Sequence, residues 1–289
     1  MITFSEIGFF GRLGNAMFQY AVLKALAHKL NCKAILPNDI FCRVHDGQTC
    51  LLNCFEISGY LYNLNNIIGL NQYREICDGG HYSHDIWKCK INTNLIGYFE
   101  SELYFKDIKN TIKRELSLKP KYDKFGKDYI NNLRKFHPDH EIIGIHLRRG
   151  DYLNTTLDKY CSEDWNKMYF ARCFQQYADI DKKIYLVFTG GATSIGNDNS
   201  VDMEWCKRLF GQLQIFYSEN HNTIQDYSIM VNCDHLIINS LSTIAWWAGY
   251  QNKNEKKRIC VPINMGNKND ETYWFDECIK IDACSNLSM

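Results

Sequence analysis

The second half of the chain alternates short apolar runs with segments of helical periodicity. The apolar runs, which predict buried strands, lie at 141–147, 184–189, 213–217, 234–238 and 258–263. The helical patterns that separate them lie at 165–178, 202–211, 224–232 and 242–250. Strands that alternate with helices indicate a parallel, doubly wound sheet, whose ligand sites lie beyond the carboxyl ends of its strands.

The first half opens with a strand–turn–helix–strand pattern. An apolar stretch at 2–10 leads into a glycine-rich turn at 11–14, and a further short strand is predicted at 33–36. The intervening helix is predicted from apolar residues at three- and four-residue steps: Met17, Phe18, Ala21, Ala25, Leu26 and Leu30. We interpret this segment as a βαβ unit.

A helix at 122–136 is predicted to stop at His137-Pro138, because a residue before proline disfavours the helical region. The region 40–95 has no clear period, so its elements are not assigned. With the boundary placed at this helix stop, we predict an α/β fold of two domains that face a cleft, residues 1–138 and 139–289.

The composition narrows the functional classes. Lys and Arg number 33, as do Asp and Glu, and a net charge of zero argues against a nucleic-acid partner.

The 13 cysteines are odd in number and form no CxxC pair, so we expect reduced, mostly buried thiols. No signal sequence or apolar run of about 18 residues occurs, so we expect no membrane span. These features favour the cytoplasm of a bacterial cell or of a virus-infected host cell.

The most informative local feature is the run HLRRGDY at 146–152, which directly follows a predicted strand. Arg148 and Arg149 beside a glycine turn would make a diphosphate clamp, because guanidinium forks match phosphate oxygens and keep their charge. The alternative interpretation is a surface loop whose arginines pair with Asp151 and with solvent. The run alone is compatible with both.

Two further segments place polar groups at the start of a helix. The run FFGRLGN at 9–15 resembles neither a Walker loop nor a full GxGxxG, so it indicates either an anion site or a tight structural turn. In NSLSTIAWW at 239–247, Ser242 and Thr243 suit either a helix N-cap or a phosphate contact. We interpret Trp246 and Trp247 as core residues.

Together, four segments resemble the successive motifs of the α-1,2-fucosyltransferases, glycosyltransferase family 11. In chain order they are GRLGNAMFQYA at 11–21, GYFESELYF at 97–105, HLRRGDY at 146–152, and DYSIMVNCDHLIINSLSTIAWWAGY at 226–250. The resemblance implies two Rossmann-like domains of the GT-B type, an acceptor-side N-terminal domain and a GDP-fucose-binding C-terminal domain. It further implies inverting transfer of L-fucose from GDP-fucose to the 2-hydroxyl of a galactose-containing glycan acceptor.

The resemblance also implies roles for individual residues. The catalytic residues would be Arg148, Arg149 and Asp151. The donor would be bound by the diphosphate clamp of Arg148 and Arg149, by His146 beside it, by Arg12 and Asn15 in the glycine-rich turn, and by Ser242 and Thr243.

Fucosyl transfer leaves growing negative charge on GDP, and fixed arginines can stabilise that charge as Mg²⁺ does in other enzymes. We therefore expect no metal and no cofactor. The triplet Asp179-Ile180-Asp181 has the letters of a DxD metal motif, but it follows a predicted helix and indicates a solvated turn. The general base stays open between Glu6, Glu100, Glu102 and Asp151.

Departures from the family pattern leave alternatives open. FTGG stands at 188–191 where family members have an acidic segment, Asp198 and Asp202 are out of register with it, and Leu241 replaces an asparagine. A fucosyltransferase of other regiospecificity, acting on α-1,6 or protein acceptors, is one alternative. A catalytically silent GDP-sugar- or carbohydrate-binding protein is another, and a generic phosphate-handling enzyme is a third.

Overall fold

The computed structural model describes residues 1–9, 11–45, 48–49, 51–63, 69–76, 80–190, 200–211, 213–266 and 268–283. Its strands are β1 (Ile2–Thr3), β2 (Ala34–Pro37), β3 (Val44–His45), β4 (Gln48–Thr49), β5 (Tyr60–Tyr62), β6 (Asn71–Arg74), β7 (Thr93–Ile96), β8 (Glu141–Leu147), β9 (Lys183–Thr189), β10 (Ile215–Tyr217), β11 (His235–Ile238), β12 (Ile259–Pro262) and β13 (Cys278–Ile281). Its α-helices are α1 (Leu13–Lys29), α2 (Lys109–Glu115), α3 (Pro120–Phe136), α4 (Glu163–Gln175), α5 (Ser200–Phe210), α6 (Thr223–Asn232), α7 (Thr243–Gln251) and α8 (Asp270–Tyr273).

The chain forms two compact units, each built on a parallel sheet. Unit 1 contains Met1–Lys119 and Lys268–Phe275, and unit 2 contains Pro120–Asn267 and Asp276–Met289. Among the described residues, no helix combines the length and the apolar composition that a bilayer span requires. The predicted buried thiols are present in unit 2 as free cysteines: Cys161, Cys173, Cys206, Cys233 and Cys260.

The sheet of unit 2 has the strand order β10-β9-β8-β11-β12-β13, and every neighbouring pair is parallel. Numbered from β8, this is the 3-2-1-4-5-6 order of the doubly wound nucleotide-binding fold. Each predicted apolar run and helix of this half is present, with ends shifted by a turn or less. The order reverses between β8 and β11, so the carboxyl ends of these two strands mark the ligand position of such a sheet.

Alternation along β8 determines which side chains enter the main core of unit 2. Ile143, Ile145 and Leu147 join the large apolar cluster that includes the aromatic residues of α4. His146 belongs to the opposite face, because successive residues of a strand point to opposite sides. A buried polar residue therefore stands at the end of the central strand without entering the apolar cluster.

The sheet of unit 1 has the strand order β5-β2-β1-β7-β6 and is also parallel throughout. Strand β1 is shorter than the predicted stretch at 2–10, because the chain turns after Thr3. The buried guanidinium of Arg43 holds this turn by donating to the carbonyl oxygens of Ser5 (2.5 Å) and Ile7 (2.8 Å). Because β1 and β7 are parallel neighbours, the turns that follow them lie at the same edge of the sheet.

The division of the chain differs from the predicted ranges 1–138 and 139–289. Helix α3 belongs to unit 2, where its Gly126 and Ile130 are buried and it packs along α6. Residues 268–275 return to unit 1, where Ser101 Oγ donates to the carbonyl of Thr272 (2.5 Å). The proline after α3 ends a helix, but the change of unit comes before that helix.

The turn after β7 has an unusual backbone that a buried carboxylate holds in place. Phe99 is fully buried with φ +55°, a region that bulky residues rarely adopt. The carboxylate of Glu75, which directly follows β6, accepts from the backbone N–H groups of Tyr98 (2.7 Å) and Phe99 (3.0 Å). The pKa of Glu75 is raised to about 7, mainly because the carboxyl group is buried; the two backbone hydrogen bonds oppose this rise, and smaller effects of Glu100 and Lys268 act in opposite directions.

We expect Gly126→Ala to destabilise unit 2 although alanine favours a helix by about 1 kcal/mol. A Cβ at position 126 would lie 2.2 Å from the backbone oxygen of Ser228 on α6, and backbone cannot move aside easily. The expected net loss in the free energy of unfolding is about 1–3 kcal/mol, measured by urea denaturation. Asn131→Ala, at an exposed position of the same helix, is the matched control and should have little effect. Equal stability of the two variants would contradict close α3–α6 packing.

We expect Glu75 to make unfolding pH-dependent. Its folded-state pKa of about 7 lies above its ordinary value of 4.5, so the folded state favours the protonated form. The stability that this preference contributes is complete below pH 4.5 and is lost as the pH rises through 7.

The unfolding free energy of the wild type should therefore fall between pH 5 and 8 by on the order of 2–3 kcal/mol more than that of Glu75→Gln. Denaturant titrations at several pH values measure this difference. Glu56→Gln, at an exposed glutamate of the same unit, should keep the wild-type slope. Parallel pH profiles for wild type and Glu75→Gln would contradict the raised pKa.

Candidate active site

The turn after β8 contains both arginines of the HLRRGDY run. The Arg148 side chain forms a bidentate pair with Asp151, through Nε to Oδ1 (3.0 Å) and Nη2 to Oδ2 (2.5 Å). Its guanidinium also lies over the ring of Tyr152, 5.3 Å from the centroid. The predicted pairing of an arginine with Asp151 is therefore real for Arg148, and Asp151 acts there as its partner.

Arg149 has different partners, which come from helix α5. Its Nη1 donates to Asp202 Oδ1 at 3.1 Å, and its guanidinium lies 4.9 Å from the ring centroid of Trp205. Its Nε is buried and has no hydrogen-bond partner among the described residues. One edge of this guanidinium thus keeps an unused donor.

Asn239, directly after β11, fixes the backbone of the arginine turn. Its N–H donates to the carbonyl of His146 (3.1 Å), and its Oδ1 accepts from the N–H of Arg148 (3.0 Å). Its Nδ2 donates to Oδ1 of the fully buried Asn166 (2.9 Å). Sequence reasoning did not single out Asn239 or Asn166. The available signal was an asparagine placed directly after a buried strand.

The start of α7 leaves serine hydroxyls unused. Ser242 occupies the N-cap position, but its side chain makes no capping hydrogen bond. Its Oγ and that of Ser240 are buried and have no partner within the described chain. The N-cap alternative for the Ser242 hydroxyl is therefore wrong in this structure. Thr243 is the first helical residue and is half-buried.

His146 pairs with Ile238 across β8 and β11, which places it beside these serines. Burial, with a smaller contribution from the charge of Arg148, lowers the pKa of His146 to about 3, so the imidazole is neutral near pH 7. Its Nδ1 is buried and also lacks a partner among the described residues. Buried polar atoms are usually hydrogen-bonded. Several buried polar atoms without partners in the described chain, at two adjacent strand ends, therefore indicate a place for a polar ligand.

Trp246 and Trp247 are fully buried, as their interpretation as core residues requires. The ring of Trp246 stacks on Tyr250 with centroids 4.9 Å apart. They support α7 from within the core.

In unit 1, the glycine-rich turn brings Asn15 to the turn after β7. Asn15 Nδ2 donates to Glu100 Oε1 (2.7 Å), and the other oxygen of Glu100 forms an ion pair with Lys268. Gly11 has φ +84°, and a Cβ there would lie 2.6 Å from the Asn15 side chain. The turn therefore requires glycine to leave space for Asn15. Arg12 lies at the N-cap position of α1, half-buried.

The base candidates differ in their surroundings. Glu100 and Glu102 are buried. Glu6 is exposed, and Asp151 is paired with Arg148.

Two further segments named from the sequence are the Asp179-Ile180-Asp181 triplet and the region that follows β9. Asp179 forms an exposed bidentate pair with Arg258 (2.5 and 2.6 Å), which agrees with a solvated turn. Gly191 of FTGG and Asp198 lie outside the described residues. Within the described residues, no group of three or more His, Cys, Asp and Glu is arranged to hold a metal ion.

Comparison with known proteins gives consistent matches. The model of Glycosyl transferase family 11 matches residues 2–276. Galactoside alpha-(1,2)-fucosyltransferase 1 of Ateles belzebuth is 25% identical over 83% of this chain and 63% of its own length. Galactoside alpha-(1,2)-fucosyltransferase 2 of Sus scrofa is 23% identical over 83% of this chain and 67% of its own. The chain thus spans about two thirds of these relatives or slightly less.

Among solved structures, POFUT1 in complex with GDP-fucose is similar in fold, with a TM-score of 0.52 and 11% identity over 90% of this chain and 97% of the other. This similarity confirms the predicted α/β fold of Rossmann-like, GT-B-type units. The match of the family model covers both units and all four motifs. The chain belongs to glycosyl transferase family 11.

Proposed function

We propose that the chain is a fucosyltransferase that transfers L-fucose from GDP-fucose to the 2-hydroxyl of a galactose-containing glycan, with inversion. The observation that carries this proposal is the set of buried polar atoms at the ends of β8 and β11, Arg149 Nε among them, that have no hydrogen-bond partner in the described part of the chain. The relatives named galactoside alpha-(1,2)-fucosyltransferases support the reaction, and the GDP-fucose complex of POFUT1 supports the donor.

The donor diphosphate is proposed to bind at the end of β8. Arg149 offers its buried Nε, and Arg148 adds a second positive charge beside it. The hydroxyls of Ser240 and Ser242 lie where the amino end of α7 begins, and helix amino ends favour anions. Neutral His146 offers a ring nitrogen without adding charge, so the two arginines set the positive charge of this position.

The proposed chemistry depends on how negative charge develops. When the bond between fucose C1 and the diphosphate oxygen breaks, the fucosyl group gains oxocarbenium character and GDP gains charge. Fixed arginines aimed at that charge stabilise the transition state more than the ground state. We therefore propose a metal-independent reaction in which Arg149 and Arg148 supply the positive charge.

The acceptor hydroxyl must lose a proton during transfer, and carboxylates are suited to take it. In unit 1, Glu100 and Glu102 are the buried carboxylates of the GYFESELYF segment, and Asn15 and Lys268 hold Glu100 in one orientation. His146, with a pKa of about 3, is too weak a base for this task. We propose that one of these two glutamates faces the acceptor.

We expect Arg149→Ala to lose at least about 3 kcal/mol of transition-state stabilisation, a fall in kcat of more than about 100-fold. The assay is GDP release from GDP-fucose in EDTA, with and without lactose, N-acetyllactosamine or lacto-N-biose. Arg258→Ala, which removes an arginine from a surface pair of the same unit, is the matched control. A near-normal kcat for Arg149→Ala would contradict the clamp.

The same assay tests the wider proposal. Acceptor-dependent GDP release in EDTA, with a product that NMR shows to carry fucose on the galactose 2-hydroxyl, is the expected result. A different linkage would favour a fucosyltransferase of other regiospecificity. GDP binding without turnover on any galactoside would favour a silent binding protein, and an absolute requirement for Mg²⁺ would refute metal independence.

A further inference from the structure

We propose that Asp202, together with Trp205, is a positioning residue that fixes the Arg149 guanidinium and the turn after β8 for the donor diphosphate. This inference rests on the proposed function, because it assigns a purpose to the orientation of Arg149.

The Asp202 carboxylate ties together a side chain and the backbone of consecutive residues. Its Oδ1 accepts from Arg149 Nη1 (3.1 Å), and its Oδ2 accepts from the N–H of Gly150 (2.9 Å). The side chain is only 12% exposed, so water competes little for these hydrogen bonds. One carboxylate therefore restrains both the arginine side chain and the loop from which it extends.

Trp205 lies one turn further along α5, and its ring packs against the flat face of the same guanidinium. Its ring centroid is 4.9 Å from Arg149 Cζ, within the range of a cation–π contact. With Nη1 held by Asp202 and one face held by Trp205, rotation of the guanidinium about its own bonds is restricted. The group keeps Nε as its buried, unpartnered donor, in an orientation that the two restraints define.

The same geometry shows which segment the Asp202 carboxylate serves. Asp202 is near the FTGG segment in sequence, so its carboxylate could have replaced the missing acidic pair there. Both of its oxygens are instead engaged by the arginine turn. These two hydrogen bonds assign the Asp202 carboxylate to the arginine turn.

Positioning and simple charge predict opposite effects of Asp202→Asn. Removal of a negative charge beside the diphosphate position would strengthen GDP binding if only net charge mattered. If Asp202 positions Arg149, asparagine keeps only one of the two accepting oxygens, its NH2 group faces Arg149 or Gly150 as a second donor, and the arginine loses its fixed orientation. The sign of the change in affinity and rate distinguishes the two.

The experiment compares wild type, Asp202→Asn, Trp205→Leu, Arg149→Ala and the double variant Arg149→Ala/Asp202→Asn. Asp179→Asn, which removes one carboxylate charge from an exposed arginine pair of the same unit, is the control. GDP affinity is measured by calorimetry and kcat and KM with GDP-fucose, and thermal unfolding checks that each variant folds.

We expect Asp202→Asn to lower kcat roughly 10- to 100-fold, the size of one lost charge-assisted hydrogen bond, and GDP affinity by less. Trp205→Leu should lower kcat in the same direction by a smaller factor. In the Arg149→Ala background, Asp202→Asn should cause a much smaller further loss than in the wild type, because the guanidinium that it positions is absent and only its hydrogen bond to the Gly150 N–H remains to be lost.

Several results would overturn the inference. These are unchanged or tighter GDP binding with unchanged kcat in Asp202→Asn, or losses that multiply independently in the double variant. In either case the wild-type activity, and with it the proposed function, would stand. A wild type that neither binds GDP nor releases it from GDP-fucose would refute the proposed function and this inference together.

Discussion

The pairing of β8 with β11, with His146 opposite Ile238, is the contact on which the arrangement of the candidate site depends. These strands are adjacent in the sheet but far apart in the chain, and the strand order reverses between them. The residues that follow each strand therefore emerge side by side. Because Asn239 accepts from the N–H of Arg148, the end of one strand also sets the backbone of the other.

This arrangement concentrates polar groups where the fold itself does not satisfy them. A buried polar atom without a partner costs about 1–3 kcal/mol, so a ligand that hydrogen-bonds to the imidazole, guanidinium and hydroxyl atoms at these strand ends would stabilise unit 2. The neighbouring Asn239 and Asn166 are, by contrast, satisfied through a chain of side-chain and backbone hydrogen bonds. Rigid support and unsatisfied binding atoms thus lie next to each other, as electrostatic preorganisation requires.

The sequence predicted unit 2 better than unit 1 for a physical reason. Unit 2 has strands of nearly continuous apolar residues, such as β8 and β9, and such runs can be recognised from the local sequence. Unit 1 has short strands, such as β1 and the exposed β5, whose composition carries little signal. Its turns depend instead on long-range contacts, such as Arg43 with the turn after β1, which no local pattern reveals.

The same distinction applies to the site residues. Arg148 and Arg149 were identified because they adjoin a strongly predicted strand, and the Asp151 partner of Arg148 lies in the same run, whereas the partner of Arg149 is remote in sequence. Asp202 is 53 positions from Arg149, and Asn15 is 85 positions from Glu100. The predicted domain boundary was placed at the end of α3, where His137-Pro138 marks the helix end in the sequence. The packing of α3 on α6 instead assigns that helix to unit 2.

The turn after β7 in unit 1 and the turn after β8 in unit 2 are restrained in the same way, but they carry side chains of opposite charge. In each unit, the end of an interior strand of the sheet leads into a turn that a carboxylate restrains through the backbone: Glu75 in unit 1 and Asp202 in unit 2. In unit 2 the restrained turn presents arginine, and in unit 1 it presents the carboxylate of Glu100. Contacts from outside each turn thus hold the charged side chain that it carries, Arg149 through Asp202 in unit 2 and Glu100 through Asn15 in unit 1, so each charge has a fixed orientation within its own unit.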